Sequence, residues 1–214
     1  MFDNVKAVLF DLDGTLVDSM SMWKEIDVDY LKKFNLPVPE TLQQDIEGLS
    51  MYQTAVYFKE TFGIPDDLDT IQNTWNAMAY DKYTNEVPLK PFVRAFLELL
   101  KSKHIPCGIA TSNSRVLTEA ILKSHGIYDC FSVMVTGDEI KNGKPEPDVY
   151  LTAAKKLGVD PKDCLVFEDI PVGIMAGKNA GMTVYAVEDI YSMKDIEEKK
   201  RLADFYIKSY EELL

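Results

Sequence analysis

Two carboxylates two residues apart, Asp11 and Asp13, close the run Val5-Lys6-Ala7-Val8-Leu9-Phe10-Asp11-Leu12-Asp13-Gly14-Thr15. In extended backbone alternate side chains share a face, so the two can converge just past the carboxyl end of a strand. Like charges that close repel unless a cation lies between them, and oxygen donors select a hard ion, Mg2+ before others. Taken alone, the pair reads more readily as polar turn residues that end a strand. Three later segments change that balance.

The first is Gly108-Ile109-Ala110-Thr111-Ser112-Asn113. Thr111 is placed to donate its hydroxyl to a phosphate oxygen, and Ser112 and Asn113 offer backbone N–H groups where a helix begins, a natural anion site. By itself Ser112-Asn113-Ser114 reads more readily as an ordinary N-cap cluster. The second is Asn142-Gly143-Lys144-Pro145-Glu146-Pro147-Asp148. Most lysines are solvated, but one held between Gly and Pro has a restricted aim. Its ammonium is a point charge for phosphate and for a neighbouring carboxylate. The third is Leu165-Val166-Phe167-Glu168-Asp169-Ile170-Pro171-Val172-Gly173, an apolar strand ending in two acids. Asp169 is the better metal ligand, with Glu168 on the ion or directly behind it; acids in a first helical turn also suit the helix dipole.

The elements that must bring these segments together follow from apolar periodicity. Val5–Phe10 reads as a strand buried on both faces. From Pro91 onward, helix and strand alternate. Helices are expected at Phe92–Lys103, Ser114–His125, Asp148–Leu157 and Val172–Ala180. Strands are expected at Pro106–Ala110, Ser132–Thr136, Leu165–Phe167 and Thr183–Val187, with Gly126 and Gly158 closing two helices. Ser192 is expected to cap a last helix ending near Ala203, with Phe205–Ile207 as an edge strand. This order predicts an α/β fold, a doubly wound parallel, Rossmann-like sheet. Between the first strand and Pro91 the chain is helical throughout, with stripes at Trp23/Ile26/Tyr30/Phe34, Met51/Ala55/Phe58/Phe62 and Leu68/Ile71/Trp75/Met78 and a short helix within Glu40–Glu47. We expect a core of residues 1–16 and 91–214 and an inserted helical-bundle cap of 17–90, hinged at both junctions.

The 214 residues are 46% hydrophobic, enough for a packed core. A formal charge of −12 argues against a nucleic-acid partner, so any anionic ligand must be held by local positive features. No apolar run is long enough to span a membrane, and Met1-Phe2-Asp3-Asn4 does not read as an export signal. The three cysteines show no CxxC spacing, which suits packing and a reduced, cytoplasmic setting. His104 and His125 fall at helix carboxyl ends and receive no catalytic role.

Together, Asp-Leu-Asp-Gly-Thr-Leu-Val-Asp-Ser, Thr111-Ser112, Lys144-Pro145 and Glu168-Asp169 resemble the ordered motifs of the haloacid dehalogenase-like phosphotransferases. The resemblance implies Asp11 as nucleophile, Asp13 as acid and base, and Thr111 and Lys144 as catalytic partners. It also implies a Mg2+ ion held by Asp11, Asp13 (through its backbone carbonyl), Asp169 and, at one remove, Glu168. The segment after the first motif resembles the family's helical cap, as in beta-phosphoglucomutases and phosphoglycolate phosphatases. Its loop Ile46-Glu47-Gly48-Leu49-Ser50-Met51 resembles a specificity loop, which makes Glu47, Gly48, Trp23, Ser112 and Asn113 candidate substrate-binding residues. The mutases grip a distal phosphate with a Lys and an Arg flanking that Gly and carry a His on the first cap helix. This chain has Glu47, Met51 and Trp23 there. An acid in that loop would repel a second phosphate.

The expectation is therefore a Mg2+-dependent phosphatase of a small phosphorylated metabolite, acting as a monomer without nucleic-acid or membrane partners. A phosphosugar mutase is the alternative, and a non-enzymatic phospho-Asp receiver module a remote one. Met20, Met22, Trp23, Leu49 and Met51 are expected to line an apolar pocket over the substrate, with Met20 and Trp23 reading equally as cap core by their helical spacing.

Overall fold

Why a four-residue strand ends up at the centre of the molecule is visible in its composition. Ala7–Phe10 (β1) offers apolar side chains on both faces, and all four are fully buried. The computed structural model of the protein describes residues 4–214. The expectations that the core begins at residue 1 and that no export signal precedes β1 rest on Met1–Asp3, outside the described residues. β1 is followed by helices Met20–Lys33 (α1), Leu42–Asp45 (α2), Met51–Phe62 (α3), Leu68–Asn85 (α4) and Val93–Ser102 (α5). Then come Cys107–Ala110 (β2), Arg115–Ser124 (α6), Phe131–Val135 (β3), Asp148–Leu157 (α7), Cys164–Glu168 (β4) and Pro171–Asn179 (α8). Thr183–Val187 (β5), Ile196–Leu202 (α9) and Phe205–Ile207 (β6) follow, before a final 3-10 turn at Tyr210–Leu213.

All six strands are parallel, in the order β3-β2-β1-β4-β5-β6. The chain builds outward from β1 in one direction and then returns to build in the other, so the order reverses beside β1. A reversal of this kind opens a crevice beyond the strands' carboxyl ends. Register then decides what lines it. Phe10 sits opposite Ile109 on one side and Phe167 on the other, so the next residues, Asp11, Ala110 and Glu168, arrive level. A slip by one residue would exchange the two faces of the sheet and scatter those tips.

The two faces are packed differently. Phe10 and Val8 face a cluster with Phe96, Leu100, Ile121 and Tyr210, where Phe10 stacks on Phe167 with ring centroids 5.1 Å apart. Ala7 and Leu9 face Tyr150, Ala153, Ile174 and Ala176 on α7 and α8. Small residues there let those helices approach closely. α1, α3 and α4 form the helical insert, whose centre is Tyr30, Phe58 and Trp75 in edge-on contact, Trp75 lying 5.4 Å from Tyr30 and 5.0 Å from Phe58. Its entry signals are local. A Ser50/Gln53 capping box starts α3, Gly63 in left-handed conformation ends it, and Asp67 caps α4.

One expectation fails here. Ser192 does not cap the last helix, which begins at Ile196 after a 3-10 segment. The hydroxyl is committed elsewhere: buried, it donates to the Asp169 carbonyl at 2.7 Å and accepts from the buried Lys199 ammonium at 2.8 Å. No described helix is long and apolar enough to cross a membrane.

Candidate active site

Asp11 is the first residue past β1, and its N–H donates to the Phe167 carbonyl at 3.0 Å, which fixes it against the end of β4. Its carboxylate accepts from the Lys144 ammonium at 2.6 Å. Lys144 enters from the loop before α7, is 5% exposed, and lies 2.5 Å from Glu168. Glu168, the last residue of β4, is fully buried and also accepts from the Tyr150 hydroxyl at 2.7 Å. Asp169 follows, held by the Thr15 hydroxyl at 3.0 Å and by the Ser192 contact to its carbonyl. Gly14 makes this possible. It adopts φ +77°, and a Cβ there would collide with the Asp169 carboxylate.

Carboxylate oxygens of Asp11, Glu168 and Asp169 lie within 4.8 Å of one another, all three residues buried. Three carboxyl groups against one ammonium leave two surplus negative charges in a poorly solvated place. Burial is the main reason that Asp11 is pushed up to about 8; Lys144 opposes the shift and Glu168 adds to it. Burial, then Asp11 and Glu168, drive Asp169 the same way. For Lys144, burial works to lower the value, but the two carboxylates overcome it and hold the ammonium charged. An all-oxygen donor set with two uncompensated charges fits one hard divalent cation.

The carboxylate of Asp13 stands apart from this cluster. The expected convergence of the Asp11 and Asp13 carboxylates on one ion is corrected by four donors that turn Asp13 toward the helical insert. Ser19 donates at 2.5 Å, the Trp23 indole at 2.9 Å, Asn113 at 2.9 Å, and the Tyr83 hydroxyl makes a very short contact. Three of the four donors lie between β1 and α5, so this acid is held largely by the insert. Burial foremost, then the Asp13 charge, raises Tyr83 well above its ordinary range, keeping it a donor.

Thr111 follows β2 and is almost wholly buried. Asn113 departs from its expected role. Its N–H goes to the Thr111 hydroxyl at 3.1 Å rather than outward, and its amide bridges Asp13 and Tyr83. The Ser112 N–H has no hydrogen-bond partner among the described residues, and the Ser112 hydroxyl donates to the Gly48 carbonyl at 3.3 Å. Gly48, at φ +76°, passes so close to Val172 and Lys144 that a side chain there would meet Val172 at 2.6 Å.

One cavity of about 510 Å3 joins these groups. Asp11, Asp13, Thr111, Lys144 and Asp169 line its floor, and Trp23, Glu47, Gly48 and Ser112 its sides, with Asn113 between. Glu168 sits behind the floor and is not exposed to it. Met20, Leu49 and Met51 also line the cavity, as the apolar-pocket reading expects. Met22 does not. Two residues beyond Met20 on a helix points elsewhere, and it packs in the core. Sequence reasoning missed Tyr83, Tyr150 and Thr15, whose partners are distant in the chain and whose types carry no local signal.

The chain matches the family described as haloacid dehalogenase-like hydrolase over residues 8–187. A bifunctional riboflavin kinase/FMN phosphatase from Arabidopsis thaliana is 34% identical over 86% of this chain, which spans 48% of that relative's length. A phosphorylated carbohydrates phosphatase from Thermotoga maritima is 32% identical, with 89% of this chain and 88% of that protein covered. A solved beta-phosphoglucomutase from Clostridium difficile superposes with TM-score 0.83 at 22% identity, over 98% of this chain and 93% of that one, a likeness of fold.

Proposed function

The chain belongs to the haloacid dehalogenase-like hydrolases, and from that premise we propose that it is a divalent-metal-dependent phosphatase of a small phosphorylated metabolite. The observation that carries this reading is the buried Asp11–Lys144–Glu168 network with Asp169 beside it, opening on a cavity large enough for a small phosphomonoester. Asp11, Asp169 and the backbone carbonyl of Asp13 would hold the ion, backed by Glu168. Bound there, Mg2+ would supply positive charge to the phosphoryl oxygens.

This chain's own residues do the rest. An Asp11 oxygen attacks phosphorus, the bond from phosphorus to the leaving oxygen breaks, and Asp13 gives that oxygen its proton. Water then attacks the phosphorus of phospho-Asp11, Asp13 takes up the water's proton, and the Asp11–phosphorus bond breaks to release inorganic phosphate. The Thr111 hydroxyl, the Ser112 N–H and Lys144 hold the other phosphoryl oxygens. Residues 17–90 act as a cap that covers the site, carrying Ser19, Trp23 and Tyr83 to Asp13 when seated. A cytoplasmic setting belongs to the same reading, in keeping with three free cysteines, and we propose a monomer with it.

The mutase alternative needs cations for a second phosphate. On the cavity wall this chain sets Glu40 and Glu47 beside Lys24 and Lys194, so the two lysines bring no surplus of positive charge for one. Hydrolysis is the better fit. A phosphate-release screen over a metabolite panel with Mg2+, using Asp11→Asn as blank, tests it. Release from at least one alkyl monoester that the blank lacks supports the phosphatase. Conversion of beta-glucose 1-phosphate to glucose 6-phosphate without release favours the mutase. A long-lived phospho-Asp11 with no turnover favours a receiver module.

A further inference from the structure

We infer that Asp27 on α1, braced by Gln43, forms a specificity subsite in the cap that reads a hydroxyl group on an uncharged leaving group. The inference rests on the phosphatase reading and deepens it. Asp27 is only 6% exposed and lines the cavity shared with Asp11. One carboxylate oxygen accepts from the Gln43 side-chain amide at 2.8 Å, and the other has no hydrogen-bond partner among the described residues. Burial, opposed only by Gln43, pushes its value up to about 6, and no cation offsets it. That second oxygen is not sealed in the core, so a group bound in the cavity can reach it.

Position says what that is. Asp27 follows Trp23 by four residues on the same helix, hence on the same face about 6 Å further along. Trp23 touches Asp13, whose task is the leaving oxygen. Asp27 is therefore about one short carbon chain beyond the scissile bond. Trp75, which lines the same cavity, has a buried indole N–H with no partner among the described residues. An acceptor and a donor in one cavity suit a hydroxyl, which can give a proton to one and receive from the other. The surrounding wall argues for neutrality: Glu40 and Glu47 disfavour an anion, while Lys24 and Lys194 disfavour a cation.

The test uses three probes on the full chain with Mg2+: sorbitol 6-phosphate, phosphoglycolate and p-nitrophenyl phosphate. For the wild-type enzyme, kcat/KM should be higher for sorbitol 6-phosphate than for phosphoglycolate. In Asp27→Ala the ratio of kcat/KM for sorbitol 6-phosphate to that for p-nitrophenyl phosphate should fall roughly 10- to 100-fold, mainly through KM. Trp75→Phe, which removes only the N–H, should lower the same ratio by roughly 3- to 10-fold. Equal loss on both substrates, or an unchanged ratio, overturns the subsite while leaving the phosphatase intact. A wild-type enzyme that prefers phosphoglycolate, or that turns over other monoesters of the metabolite panel but not sorbitol 6-phosphate, overturns the subsite alone; release from neither the three probes nor the panel overturns the phosphatase reading and this inference with it.

Discussion

The floor and the roof of the cavity are built on opposite terms. On the floor, Asp11, Lys144, Glu168 and Tyr150 form a closed chain of buried charged contacts, each group fixed by two others or by a strand tip. On the roof, Asp27 has one partner, Glu47 rides a loop, and Met20, Leu49 and Met51 supply adaptable surface. The floor is over-determined, as a site must be when attacking and leaving atoms need fixed positions. The roof has slack, so it can change what is bound without changing what is done. Asp13 is the hinge of the contrast, a floor residue held mainly by roof donors.

If that division is right, damage to the floor should be severe on every substrate. Asp11→Asn should lower phosphate release by at least about 10^3-fold with all of them, read by steady-state assay. Lys144→Met should reduce kcat/KM by roughly 10^2- to 10^3-fold and, by leaving carboxylates unpaired, destabilise the metal-free protein by about 3–5 kcal/mol in urea unfolding. Retention of most activity in either variant would break the comparison.

Damage at the hinge should depend on the leaving group. Tyr83→Phe removes one donor to Asp13 and should cost about 10-fold on an alkyl phosphate, where the leaving oxygen needs a proton. The loss should be much smaller on p-nitrophenyl phosphate, whose leaving group departs as an anion. Equal losses would mean that Tyr83 only supports the cap.

The prediction for the roof concerns stability rather than rate. Asp27 rises from 3.8 to about 6 on folding, so the folded protein binds more protons between those values. Its stability contribution is therefore lost as pH rises through that window. Asp27→Asn should then stabilise by about 1–3 kcal/mol at pH 7–8 and by little near pH 4, followed as Tm across pH. A Tm gain independent of pH would remove the buried charge as its cause.

How much of this was legible in the sequence follows the same division. Asp11 and Asp169 stand out because each follows an apolar strand, and Lys144 because it is held between Gly143 and Pro145 just before a helix. The parallel sheet was legible in the alternation of buried runs and amphipathic helices. Tyr83 and Tyr150 were not, since an aromatic on a helix stripe reads as core, and both also pack as core. Asp27 was hidden by the opposite mask: an acid between Ile26 and Val28 on an amphipathic helix reads as solvent-facing. Asn113 was placed correctly along the chain, but its amide direction depends on Tyr83, thirty residues earlier. Ser192 reads as a cap until Lys199 and the Asp169 carbonyl claim its hydroxyl.

The central claim is that an Asp11 oxygen takes the phosphoryl group before water does. Acid quench of the enzyme during turnover of a monoester with Mg2+, followed by mass spectrometry of the peptide bearing Asp11, addresses it directly. The account predicts one phosphoryl group on Asp11, absent from Asp11→Asn and lost when quench is delayed past substrate exhaustion. Sustained phosphate release with no phosphoryl group on that peptide, or with the group on another residue, would contradict it.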